Sequence, residues 1–175
     1  PKILLLFRVT WYAFNGGVKL SIEKVRKYFA ARGMEDQILE FDVSSATVEL
    51  AAKALNCDGC LIAKTLSFLV HDDVILIVAP GDVKIDNHKY KMHFGVKAKM
   101  LPAAEAEQLI GHAVGGVCPF AVNEGVKVFL DESLKRFEFV YPACGSSNSA
   151  VKLTIPELEK NTDHFSGWVD VCKLK

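Results

Sequence analysis

The stretch GHAVGGVCPF, residues 111–120, sets Gly115 and Gly116 just ahead of Val117, Cys118, Pro119 and Phe120. Glycine reaches backbone conformations closed to other residues and lets another molecule approach the main chain. Proline fixes its own φ and restricts the residue before it. Together they predict a stiff loop with bare backbone, suited to cradling a ligand. Cys118 follows His112 by six residues, and a nearby base can activate a thiol. A small apolar loop residue is the plainer reading of the same cysteine. Lys64 sits between LIA and TL in an otherwise apolar run. There it is either a cation held for a phosphate or carbonyl, or a lysine snorkelling at a strand edge.

Other groups carry less. Cys57-Asp58-Gly59-Cys60 is a C-x-x-C, but a redox motif needs a βαβ setting and a zinc site wants a second pair. Cys118, Cys144 and Cys172 are isolated, so no metal and no cofactor is expected. His71, His88, His93, His112 and His164 lack ligand spacing and read as solvated loop residues. Lys84, Lys89, Lys91, Lys97 and Lys99 form a basic cluster that either meets RNA phosphates or is an ordinary solvated face. Phe68, Phe94 and Phe120 could stack on a base. Core packing competes for each, least for Phe120 in the loop.

These groups need elements to position them. Ser21 reads as the cap of a helix over SIEKVRKYFAARG, with Ile22, Val25 and Phe29 on one face and Gly33 at its end. ILEFDV reads as a short strand. SSATVELAAKAL reads as a helix with Val48, Ala51, Ala52 and Leu55 inward. CLIAKTLSFLV and DVILIVAP read as a hairpin turning at HDD. GDVKIDNHKYKMHFG reads as a turn and short helix, VKAKML as a strand, and PAAEAEQLIG as a helix with proline first and glycine last. VKVFLDESLKRFEFVYPA holds two strands around a polar turn, AVKLTI a strand and PELEKN a short helix. Short connections and many strands predict a single compact α+β domain with a mixed, barrel-like sheet flanked by helices. No strand runs into a GxGxxG or GxxxxGK[ST] loop, which argues against a Rossmann or P-loop site.

Composition sets bounds. Formal net charge is zero over 175 residues, so attraction to nucleic acid has to come from a local patch. Five cysteines, an odd number, suggest a reducing compartment and a cytoplasmic protein. The apolar runs are far short of the roughly 20 residues of a membrane span. PKILLLF makes a poor signal peptide. Residues 1 to about 17, ending in NGG, read as a tag or scar, so the expected division is an extension over 1–20 and one domain over 21–175.

Three stretches in this order, IAKTLSF, IVAPGDVKID and GHAVGGVCPF, resemble the YbaK/prolyl-tRNA-synthetase-associated editing domain superfamily. The likeness covers roughly residues 21–162. It implies hydrolysis of amino acids wrongly attached to tRNA, most often tRNA for proline, on a compact α+β fold. Lys64 matches the functional lysine of that superfamily, and Gly115 through Pro119 match its Gly-x-x-x-Pro loop. The resemblance thus implies catalytic roles for Lys64, Gly115 and Gly116. It implies substrate contacts from Val117, Cys118, Pro119, Phe120 and His112, with Gly145, Ser146 and Ser147 completing the pocket. The implied substrate is the acceptor end of misacylated tRNA (alanyl, cysteinyl or seryl), with prolyl-tRNA synthetase as a further partner. Two positions depart from the pattern. Ala121 stands where glycine is usual, and Ala150 stands near an acidic residue of members that deacylate cysteinyl-tRNA. Both bear on amino-acid selectivity. A non-catalytic module that captures tRNA ends is the alternative reading, and a thiol-redox or metal protein a weaker one.

Overall fold

The structure, a computed structural model, describes residues 20–175. The reading of residues 1–17 lies outside the described residues. A nine-residue strand and its eight-residue partner form the centre: β2 (Ile62–Val70) turns at His71 and Asp72 into β3 (Asp73–Pro80). They pair antiparallel from Ala63↔Pro80 to Val70↔Asp73, the hairpin expected. The flanking strands come from further along the chain. β5 (Lys127–Asp131) runs parallel to β3, and β9 (Phe165–Val169) parallel to β5. On the other side β6 (Phe139–Pro142) runs parallel to β2, and β8 (Leu153–Thr154) antiparallel to β6. The result is one curled, mixed six-stranded sheet in the order β8-β6-β2-β3-β5-β9. Two small antiparallel pairs complete it: β1 (Ile38–Glu40) with β7 (Ser149–Val151), and β4 (Val83–Ile85) with β10 (Cys172–Leu174).

The period-two alternation of β3 divides the interior. Leu76 and Val78 face the larger core, whereas Ile75, Ile77 and Ala79 face a second, smaller one. Helix α1, residues 20–30, brings Val25 and Phe29 to the larger core. Helix α4 (Ala103–Ile110) adds Ala106 and Ile110, and α5 (Ile155–Asn161) adds Leu158. Helix α3 (Asn87–Phe94) covers the second core with Tyr90. Helix α2 (Val48–Leu55), capped by the Thr47 hydroxyl on the Leu50 amide, buries only Ala51.

Several expectations change. Ser21 is not a cap: it lies inside α1, with its hydroxyl 2.6 Å from His112 Nδ1. Residues 97–102 make a single bridge, Met100 to Phe68, rather than a strand. The AVKLTI strand breaks at Lys152 into β7 and β8. The two strands around the polar turn, β5 and β6, never pair with each other, because β2 and β3 lie between them. Strands β4, β9 and β10 had no expected counterpart.

Phe120 is a correction with consequences. Its side chain is fully buried, 4.7 Å from the Phe29 ring centroid in an edge-on contact and 6.3 Å from that of Tyr28. Phe68 is likewise buried, against Tyr90, and Phe94 packs on Tyr90 and Phe129. Phe68 and Phe120 offer no open face to a base, and Phe94 is partly buried in the second core. Phe120→Ala is therefore expected to cost about 3–5 kcal/mol of stability, as for other buried aromatics. Chemical denaturation monitored by circular dichroism reads this directly; an unchanged midpoint would contradict the packing.

Candidate functional site

A cavity of about 280 Å³ opens beside the first half of β2. Its walls come from several distant places in the chain. The turn leading into α2 gives Ser45, Ala46 and Thr47, and β2 gives Ala63, Lys64 and Thr65. Met100 and Leu101 enter ahead of α4, and the glycine loop gives Val114, Gly115 and Val117. Tyr141, Ala143, Ser149 and Ala150 close the far side. Short side chains predominate, so hydroxyls and methyls make up most of the wall.

Gly115 has φ +88°, and a Cβ there would stand 3.3 Å from both Ala46 Cβ and Ser147 Cβ. Gly116 is held more tightly still. A Cβ at Gly116 would fall 2.5 Å from the Gly145 carbonyl carbon and 2.6 Å from the Ser146 nitrogen, so only glycine lets these two loops touch. The Gly116 amide already donates to the Ala113 carbonyl at 3.0 Å. It is therefore a packing residue with its N–H in use, which corrects the expectation of a free donor there. Among the described residues the Gly115 and Val117 amides make no backbone hydrogen bond. Ala121 takes φ +49°, the conformation that makes glycine usual at this position, so the departure keeps the loop's shape at the cost of strain.

His112 is buried and bonded on both nitrogens. Nε2 lies 2.6 Å from the Phe120 carbonyl, which can only accept, so Nε2 carries the proton. Nδ1 then accepts from the Ser21 hydroxyl. Burial pushes the imidazole pKa down to about 4, so the ring is neutral. Cys118 Sγ is 3.5 Å from Nε2, but burial pushes the thiol up to about 12. A protonated thiol beside a neutral imidazole is no ion pair, and the buried sulfur is out of reach of a substrate. This overturns the nucleophile reading, and it removes the His112, Cys118 and Phe120 side chains from the substrate-facing set. Pro119 is buried too, and its carbonyl accepts from the Asp163 amide at 2.8 Å.

Lys64 and the glycine loop share the cavity wall, but the ammonium points elsewhere. Lys64 pairs with Ala79, a residue of the second core, and its Nζ donates to the Val83 carbonyl. Burial, more than the charge of Lys175, lowers its pKa. The second loop stands behind the first. Gly145 has φ +89° and Ser146 is buried, its hydroxyl 2.6 Å from Ser149 Oγ. The Ser147 carbonyl accepts from the Ser45 amide at 2.6 Å, tying this loop to the cavity's lip. Of the three, none lines the cavity among the described residues; Ser149 and Ala150 do.

Of the basic cluster, Lys89 is bonded to Asp170 and its charge is locally answered. Cys57 and Cys60 are free thiols, both raised in pKa mainly by burial. Among the described residues no three His, Cys, Asp or Glu side chains gather to hold a metal, and no helix is long and apolar enough to cross a membrane. Sequence reasoning missed the turn before α2, Met100, Val114 and Tyr141 as cavity residues. Only the SSAT run ahead of an amphipathic helix gave a signal, and it signals a cap.

Two predictions follow from the loop. Ala121→Gly should relieve about 1 kcal/mol of left-handed strain and raise the thermal midpoint; a lowered midpoint contradicts the strain argument. His112 binds protons less readily folded than unfolded. The unfolded chain therefore takes up a proton as pH falls from the usual value near 6.5 towards 4, and stability is lost over that window. Above it the contribution is complete. The loss should approach roughly 3 kcal/mol by pH 4. Unfolding free energies measured from pH 7.5 to 4 should fall less steeply for His112→Gln than for the unaltered protein.

The geometry has counterparts. The aminoacyl-tRNA editing domain matches residues 43–161. The chain is 50% identical over 156 residues to the uncharacterised protein YwhH of Bacillus subtilis (strain 168), covering 88% of this chain and 98% of that one. It is 23% identical to a proline–tRNA ligase of Lactiplantibacillus plantarum over 126 residues, 71% of this chain but 22% of the ligase. Among solved structures, a candidate trans-editing enzyme for prolyl-tRNA synthetase superposes with TM-score 0.77 at 26% identity, over 87% of this chain and 97% of that one. The hypothetical protein APE2540 superposes with TM-score 0.76 at 29% identity, over 86% and 99%. With its curled mixed sheet and its glycine loop beside β2, the chain belongs to the aminoacyl-tRNA editing domain family.

Proposed function

We propose that the protein hydrolyses, in trans, the ester of a mischarged aminoacyl-tRNA, with alanyl, cysteinyl or seryl esters of proline tRNA as the substrates. The observation that carries this is the cavity shared by Lys64, Gly115 and Val117, walled by alanines and hydroxyls, in a chain of the editing family. The relatives among proline–tRNA ligases support a link to proline tRNA, and prolyl-tRNA synthetase is the partner we assign. Ala150 makes its part of the wall apolar, which favours small uncharged aminoacyl groups.

An aminoacyl ester is already activated. Water adds to its carbonyl carbon, and the charge that develops on oxygen needs nearby donors. The donors assigned here are the Gly115 and Val117 amides, whose residues line the cavity and which make no backbone hydrogen bond among the described residues. The tetrahedral intermediate then collapses, breaking the bond to the ribose oxygen, which takes the proton released by the water. Lys64 contributes a cation by exchanging the Val83 carbonyl for a substrate oxygen or phosphate. Its partly desolvated position lowers the cost of that exchange relative to a fully hydrated lysine. The substrate's own thiol or ribose hydroxyl can assist where present. The same bond to Val83 favours a second reading, a module that holds tRNA ends without turnover, in which the lysine never leaves that carbonyl.

Purified protein incubated with Ala-, Cys- and Ser-charged proline tRNA should release at least one amino acid faster than buffer alone. Lys64→Ala should lower kcat/KM about a hundredfold, within the range for loss of one transition-state contact. Tight tRNA binding with no ester loss on any of the three would reject hydrolysis and leave the binding module.

A further inference from the structure

A zero net charge does not fix where the charges lie. Strands β4 and β10 make a short antiparallel ribbon in which Lys84 stands directly opposite Lys173. Val83, Ile85 and Cys172 turn toward the second core. Lys84 and Lys173, out of phase with them, share the outer face, and both are exposed. Like charges directly opposite each other on a strand pair destabilise it. A ribbon of three residue pairs has little stability to spare for such a contact.

The neighbouring acids answer only part of this charge. Asp86 lies 3.3 Å from Lys173, but the same carboxylate caps α3 by accepting from the His88 and Lys89 amides. Asp82 is held by Arg136, and Asp170 by Lys89. Among the described residues Lys84 joins no ion pair. Opposed residues on one face have Cβ atoms roughly 5 Å apart, so both ammonium groups can reach one phosphodiester. An anion between them replaces their repulsion by attraction to a common partner.

The ribbon also lies beside the candidate site. Lys64, a cavity-wall residue, bonds the carbonyl of Val83, the residue before Lys84. Leu174 stands opposite Val83, and Lys175 follows, close enough for its charge to help lower the Lys64 pKa. Strand β10 lies outside the residues matched by the editing domain.

We propose that the outer face of the β4–β10 ribbon, through Lys84 and Lys173, is a docking surface for the sugar-phosphate backbone of RNA. This rests on the editing function proposed above, because an ester in the cavity brings the backbone that carries it past Lys64.

Uncharged proline tRNA, titrated at several salt concentrations and followed by fluorescence anisotropy, tests the surface without turnover. For the Lys84→Ala, Lys173→Ala double variant, the slope of log Kd against log salt should fall in magnitude by about 1.4–1.8, as for two lost phosphate contacts. The Lys27→Ala, Lys160→Ala variant removes the same charge from exposed positions on α1 and α5 and should leave the slope unchanged. An unchanged slope in the ribbon variant, an equal fall in both variants, or no binding by the unaltered protein overturns the surface. Lys84→Glu separates binding from folding. It sets opposite charges across the ribbon, so the thermal midpoint should rise while tRNA binds more weakly. Weaker binding with a lowered midpoint traces the loss to the ribbon's fold and rejects the surface. Ester release by the unaltered protein with no slope change in the ribbon variant keeps the hydrolase and rejects the surface. A slope change without ester release keeps the surface and rejects the hydrolase.

Discussion

The approach of three backbone segments, each separated by a missing Cβ, is the constraint on which the site depends. Gly116 lies against Gly145 and Ser146, and a Cβ at Gly145 would stand 2.8 Å from the Ser21 carbonyl of α1. Loop 113–119, loop 144–148 and helix α1 are thus stacked main chain on main chain. His112 bonds across the same stack, from the Ser21 hydroxyl to the Phe120 carbonyl. Phe120 then anchors the loop in the larger core against Phe29. Cys118, Pro119 and Phe120 turn inward and anchor the loop, while Val114, Gly115 and Val117 line the cavity.

That division explains why the titratable groups of the loop do not behave as a catalytic pair. A buried imidazole with both nitrogens satisfied gains nothing by protonation, and a buried thiol without a cation beside it stays a thiol. What the loop brings to the cavity wall is main chain and valine side chains, not an ionisable group. The charged contribution to the wall comes from another element, β2, where Lys64 is half-buried and fastened to β4. The two kinds of group are held by separate parts of the fold: their residues share the cavity wall, but the Lys64 ammonium is bonded to the Val83 carbonyl.

Local patterns predicted most elements well. The HDD turn between two β-rich runs, proline opening α4 and α5, and glycine closing α4 all act within a few residues, so the physics that sets them is present in the sequence. Strand β9 was not legible because FSGWV is short, carries a glycine and depends on β5 for its pairing. VKAKML alternates like a strand but finds only one partner residue. The loop's identity as a functional segment was legible; which of its atoms face outward was not.

By itself, then, the sequence determined that a hairpin carries Lys64, that a Gly-Gly loop is stiffened by Pro119, and that the chain makes a mixed α+β domain. Only the tertiary structure decided that Phe120 and His112 turn inward, that the Gly116 amide is used within its own loop, and that Met100 and Val114 border the cavity. The reason is that burial and hydrogen-bond partners are set by segments distant in the chain. Ser21 and His112 are 91 residues apart, and no local period records which of them will meet.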